Sequence, residues 1–126
     1  MKDITIENFL KNLKNALDTS QVEVIDLWEA DTCAIGIKKK NKLIYISTYN
    51  YFENEHIRYD FDFEIINKNK LEVIKERRGV TEKELLNEIN IFLDLKNINT
   101  YFIRIGNVSD VLLKPQQPTK QYNVKK

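Results

Sequence analysis

At 126 residues the chain is near the commonest size of a single domain, and two separately folded domains do not fit comfortably in it. Hydrophobic residues at 42% and charged residues at 31% place it among globular rather than disordered chains, while a formal net charge of +1 argues against a protein that holds nucleic acid by global charge. One cysteine, Cys33, excludes an internal disulfide, no apolar stretch approaches the roughly 18 residues of a membrane span, and nothing near Met1 has the pattern of a secretory signal, so the expectation is a soluble protein of a reducing cytoplasm.

From the N-terminus, Ile6, Phe9, Leu10, Leu13, Ala16 and Leu17 recur at the three-and-four spacing of one helix face, with Asp3 or Thr5 as cap and with Glu7, Lys11 and Lys14 on the wet side. Residues Val22 to Trp28 read as extended, but their alternation changes phase between Val24 and Ile25, which points to a bulge or a covered strand. Cys33, Ile35 and Ile37, then Ile44 and Ile46, alternate with other residues on either side of Lys39-Lys40-Asn41-Lys42, the pattern of a hairpin. The clearest strand runs from Ile57 to Ile65, with every odd position apolar and every even one charged, so one face is expected in the core and the other in solvent. Asn67-Lys68-Asn69-Lys70 is a turn leading to Leu71 and Val73 in an antiparallel neighbour.

Thr81-Glu82-Lys83-Glu84 has the form of a capping box, Val80 and Leu85 stand as a hydrophobic staple, and Gly79 frees the turn ahead. The helix it opens buries Leu85, Leu86, Ile89, Phe92 and Leu93; Ile91 and Leu95 widen the stripe, which predicts cover on more than one side, and Asn97 is the expected end. Tyr101, Ile103 and Ile105 predict a further strand, and Val108 to Leu113 a short last element. Runs of neighbouring strands between two amphipathic helices predict an α+β domain over residues 1–114: an antiparallel sheet of about five to seven strands with an N-terminal and a late helix packed on it. Residues 115–126 read as a polar tail with little to bury.

Chemistry-bearing residues do not assemble into a known constellation. His56, the one histidine, has Glu53, Glu55 and Asp60 near in sequence but stands as an ordinary residue at a strand entrance. Cys33 is in phase with Ile35 and Ile37 and behaves as a small buried hydrophobe without a visible base. Asp60-Phe61-Asp62 places two carboxylates on one strand face, as some Mg²⁺-dependent nucleotidyl transferases do, yet the companion Gly-Ser phosphate turn is absent. Glu72-Val73-Ile74-Lys75 falls one residue outside the carboxylate-x-lysine spacing of restriction-type nucleases. No catalytic residue, metal ligand or cofactor is therefore assigned.

The feature to single out is the acidic row Asp60, Asp62 and Glu64, extended by Glu53 and Glu55 and flanked by Tyr49, Tyr51 and Phe52. It is either a solvated face balanced by Lys or Arg on the neighbouring strand, for example Lys70 or Lys75, or a patch that steers a basic partner with aromatic anchors beside it. On either reading, replacing the row by lysine is expected to spare stability. Lys38-Lys39-Lys40 with Lys42, and Lys75 with Arg77 and Arg78, form basic counterparts, but no aromatic stacking platform is interleaved with them.

In its opening helix Ile6 to Leu17, its strand Leu43-Ile44-Tyr45-Ile46-Ser47-Thr48 and its Tyr59-Asp60-Phe61-Asp62-Phe63-Glu64 strand before a late helix, the chain resembles the small cytosolic immunity proteins that bacteria encode beside contact-dependent growth-inhibition toxins and related polymorphic toxins. The resemblance lies in size, element order and aromatic-acidic texture rather than in a motif. It implies a non-enzymatic protein that binds the C-terminal domain of a cognate toxin, commonly a nuclease, and blocks its active site or groove. A groove that holds phosphates is basic, which gives an acidic inhibitor surface a physical reason. The alternatives are a small nucleic-acid-associated or phage-encoded regulator working through the lysine loops, and a divergent metal-dependent enzyme built on Asp60 and Asp62. The oligomeric state stays open.

Overall fold

Helix, five-stranded meander, helix is the order over residues 1–97, which are those the computed structural model describes. They are α1 (Ile4–Ala16), β1 (Glu23–Ile25), β2 (Ala34–Lys39), β3 (Lys42–Ser47), β4 (Tyr59–Asn67), β5 (Lys70–Val80) and α2 (Glu82–Leu93). The fold is α+β: the strands lie in the sheet in chain order, each antiparallel to the next. Two-residue links impose this for β2–β3 and β4–β5, because so short a connection lets a strand return only beside its predecessor, whereas β1–β2 and β3–β4 are joined by longer loops. Lys40 (φ 57°) turns β2 into β3, and Lys68 and Asn69 (φ 48° and 69°) turn β4 into β5, the left-handed pair that matches the twist of a hairpin.

One sheet face carries the core. Ile35, Ile37, Ile44, Ile46, Tyr59, Phe61 and Phe63 point to the side on which α1 contributes Ile6, Phe9, Leu13 and Leu17 and α2 contributes Leu85, Ile89 and Leu93. Each such side chain withdrawn from water stabilises the fold by roughly 1.5–3 kcal/mol before the entropy of ordering is counted. Rings knit the layers: Phe63 stacks on Phe92 of α2 at 4.1 Å between centroids, and Phe9 of α1 lies 5.3 Å from Tyr59.

The helix ends follow their local signals. Asp3 caps α1 through the Thr5 amide, and Thr81 with Glu84 forms the reciprocal capping box of α2, with Val80 and Leu85 both buried. At its other end α2 stops at Leu93 rather than near Asn97, because Asp94 adopts the left-handed conformation (φ 55°). Lys39 and Lys42 of the hairpin then donate to the carbonyls of Leu93, Asp94 and Phe92. Two cations at a helix C-terminus also suit the helix dipole.

Two further expectations change. Ile91 is 71% exposed, since at two residues from Ile89 it projects from the opposite side of α2; among the described residues the helix is covered on one side only. The extended segment Val22 to Trp28 shrinks to Glu23–Ile25, because the Asp26 carboxylate accepts from the Trp28 amide and bends the chain there. β5 is long, at 11 residues, and slips by one residue against β4 at two places, between Tyr59 and Phe61 and between Phe63 and Glu64. The strand expected at Tyr101 to Ile105, the element at Val108 to Leu113, the boundary after residue 114 and the tail 115–126 lie outside the described residues. Among the described residues no helix is long and apolar enough to cross a membrane.

Candidate partner-binding site

Residues directly opposite in an antiparallel pair share a face. Ser47 faces Asp60, Tyr45 faces Asp62 and Leu43 faces Glu64, so the acidic row does lie on the sheet face away from the helices. That face is not open solvent. The loop after β1 lays Trp28 edge-on against Tyr45, 4.7 Å between centroids, and over Gly36, where an added Cβ would stand 3.2 Å from the indole. Lys2 pins this loop by an ion pair to Asp26 (2.8 Å) and by donating to the carbonyls of Trp28 and Asp31.

Each member of the row has an internal task or an internal neighbour, which corrects the expectation of a solvated face. Asp60, 9% exposed, accepts from the Tyr51 hydroxyl (2.7 Å), the Gly79 amide (2.9 Å) and the Asn50 side chain (3.3 Å). Gly79 is the left-handed residue (φ 67°) of the first β4–β5 irregularity, so Asp60 satisfies an amide that the sheet register leaves free. Asp62 pairs with Arg78 of β5 at 2.9 Å, and Arg78 also reaches Glu76. Glu64 is 8% exposed between Leu43 and Val73 on the adjoining strands and accepts no hydrogen bond among the described residues. Burial first, and then the charge of Asp62, push its carboxyl above the usual range. The balancing cation does come from the neighbouring strand, but it is Arg78, which pairs with Asp62, and not Lys70 or Lys75.

The aromatic segment is presented to solvent. After β3, Ser47 accepts from the Tyr49 amide, and two turns follow, with the Tyr51 amide donating to Thr48 and the Asn54 amide to Tyr51. Tyr51 turns inward to Asp60, and that bond raises its phenol above the ordinary range. Tyr49 and Phe52 turn outward at 64% and 40% exposure, their rings 6.3 Å apart, and Glu53, Glu55 and His56 are exposed beyond them.

Three segments meet beneath these rings. The Asp3 amide donates to the Thr32 carbonyl, the Thr48 amide donates to the Cys33 carbonyl, and the hydroxyls of Thr5 and Thr48 share a buried bond of 2.7 Å. Between them opens a cleft of about 410 Å³ lined by Asp3, Ala30, Asp31, Thr32, Cys33, Tyr49 and Phe52. Asp31 uses one carboxylate oxygen to hold the Cys33 amide, and Asp3 holds both the amide and the hydroxyl of Thr5, which keep its carboxyl below the usual range. Sequence patterning marks Asp3 only as a cap and does not single out Asp31, because both reach the site through contacts with segments distant in the chain.

The basic runs are also engaged. Lys39 and Lys42 serve the end of α2, while Lys75 and Arg77 both reach Glu88 of α2, at 3.0 and 3.1 Å. Cys33 is buried, 5% exposed. Among the described residues no three of His, Cys, Asp and Glu stand together as a set that holds a metal ion. Compared with models of known protein families, with curated proteins and with solved structures, the chain matches none.

Proposed function

We propose that the protein is a non-enzymatic inhibitor that binds a basic protein partner, the toxin domain of a cognate bacterial system, through the aromatic loop between β3 and β4. The observation that carries this reading is the solvent-facing pair Tyr49 and Phe52 on a segment tied down at Thr48 and Tyr51 and bordered by Glu53 and Glu55. Large rings on a pre-ordered loop give contact area at a small entropic cost, and neighbouring carboxylates steer a cationic partner. The resemblance to immunity proteins supplies the class of partner. Asp60 supports the interface from behind by holding Tyr51 and Gly79, and Asp62 and Glu64 add to the negative field rather than to the contact surface.

The test is to express the toxin domain encoded beside the gene of this chain, with and without the chain, and to follow growth and complex formation. Protection of the cells, with a stable complex that Tyr49→Ser/Phe52→Ser weakens by at least about 2 kcal/mol while the urea midpoint holds, is the expected result. Unprotected cells and no complex would refute the reading.

A further inference from the structure

The cleft beneath Tyr49 and Phe52 combines four properties: volume, an aromatic wall, negative charge and rigidity. It holds about 410 Å³, enough for a long side chain. Its wall is the ring pair Tyr49 and Phe52, whose exposed faces attract a cation through their quadrupoles. Its remaining lining includes two carboxylates, Asp3 and Asp31, and, among the described residues, no cationic side chain. Lys2, the nearest cation in sequence to Asp3, is committed to Asp26 and to the carbonyls of Trp28 and Asp31. The amides freed at the start of α1 bring partial positive charge to the same place, but the Asp3 carboxylate caps that end, and Asp31 remains in excess of it. Asp31 keeps its second oxygen without a hydrogen-bond partner among the described residues. The floor is cross-tied by the bonds of Asp3 to Thr32, Thr48 to Cys33 and Thr5 to Thr48, so the site is formed before anything enters it.

Resting on the reading that this loop meets a protein partner, we infer that the cleft is the anchor site for one arginine side chain of that partner, its guanidinium against the Tyr49–Phe52 wall and its N–H groups directed to Asp3 and Asp31. Arginine fits better than lysine because a planar, weakly hydrated cation stacks on a ring and offers several fixed donors to carboxylates at once, whereas an ammonium is a compact, strongly hydrated point charge. The acidic row of β4 lacks this capacity: Asp60 is saturated by internal donors and Asp62 already holds an arginine, Arg78.

The probe is N-acetyl-arginine methylamide, followed by ¹⁵N-resolved NMR on the full chain beside its citrulline counterpart, which has the same shape without the charge. Arginine is expected to shift the amides of residues 31–33 and 48–52, and citrulline to leave them in place. Asp3→Asn/Asp31→Asn retains an acceptor oxygen for Thr5 and for the Cys33 amide, so the fold is kept, and it is expected to weaken the arginine probe about tenfold. Equal response to citrulline, shifts centred elsewhere, or undiminished binding by the double variant would each overturn the assignment. With the toxin domain in hand the two ideas separate. A complex that Asp3→Asn/Asp31→Asn leaves at full affinity sinks the arginine anchor and keeps the inhibitor reading. Arginine binding in the cleft without capture of any toxin domain sinks the inhibitor reading and keeps the anchor.

Discussion

Alternation along β4 makes Asp60 look dispensable; its surroundings make it a structural carboxylate, and the difference is measurable. In Asp60→Ala the Gly79 amide loses its acceptor at a position where the irregular register offers no strand carbonyl, which costs about 1–3 kcal/mol for an unsatisfied, half-buried donor. The Tyr51 hydroxyl and the Asn50 amide lose their bonds too, but both sit near enough to water to recover most of that energy. Removing the carboxylate relieves some desolvation. The net expectation is a loss of about 2–3 kcal/mol, a large fraction of the stability of an ordinary domain. Tyr51→Phe, which removes one of the three donors, should cost about 1 kcal/mol, and the two changes should be non-additive by about 0.5–1.5 kcal/mol in a double-mutant cycle. Urea unfolding followed by Trp28 fluorescence and by circular dichroism measures all of this. With a slope of about 1–3 kcal/mol per molar, Asp60→Ala should lower the midpoint by roughly 1 M or more. A midpoint within about 0.3 M of the parent would show that the carboxylate is solvated and that the account of Gly79 is wrong. By the same reasoning Asp60→Lys/Asp62→Lys/Glu64→Lys should fail to fold stably, contrary to the expectation from alternation.

Thr81→Ala should lower stability by about 1 kcal/mol through loss of half the capping box, and an unchanged urea midpoint would mean that the start of α2 carries no such energy. Glu64 titrates above its ordinary value in the folded chain, so its contribution to stability is most favourable below the unfolded value near 4.5 and is lost as pH rises through the folded value. Glu64→Gln should therefore match the parent at low pH and gain on it progressively toward neutrality; a pH-independent difference between the two would contradict the burial of an ionised Glu64. Gly36→Ala places a methyl 3.2 Å from both Trp28 and the Ile25 carbonyl and should cost about 1–3 kcal/mol, with the Trp28 emission shifting to the red as the ring lifts from Tyr45. Unaltered Trp28 emission in that variant would show that the indole does not lie over Gly36.

Sequence alone determined the elements whose cause is local. The three-and-four spacing from Ile6 to Leu17, the capping box at Thr81, the two hairpin turns and the alternation of Ile57 to Ile65 each specify backbone geometry within a few residues, and all of them stand in the structure, except that β4 begins at Tyr59 rather than Ile57. Two amphipathic helices around adjoining strands then leave α+β as the way to bury their stripes. Only the tertiary structure decided what covers the second face of the sheet. Period two says that Asp60, Asp62 and Glu64 point away from Phe61 and Phe63, but it is silent on whether water or protein lies there. The answer came from Trp28 reaching over Gly36, from Arg78 on the neighbouring strand and from a register slip that frees the Gly79 amide for Asp60. The cleft at Asp3, Asp31, Tyr49 and Phe52 was invisible for the same reason. Its walls come from the end of a helix, the approach to β2 and the loop after β3, segments well separated in the chain, with Thr5 and Thr48 beneath them 43 residues apart. Their meeting is a property of how the layers pack and not of any local pattern.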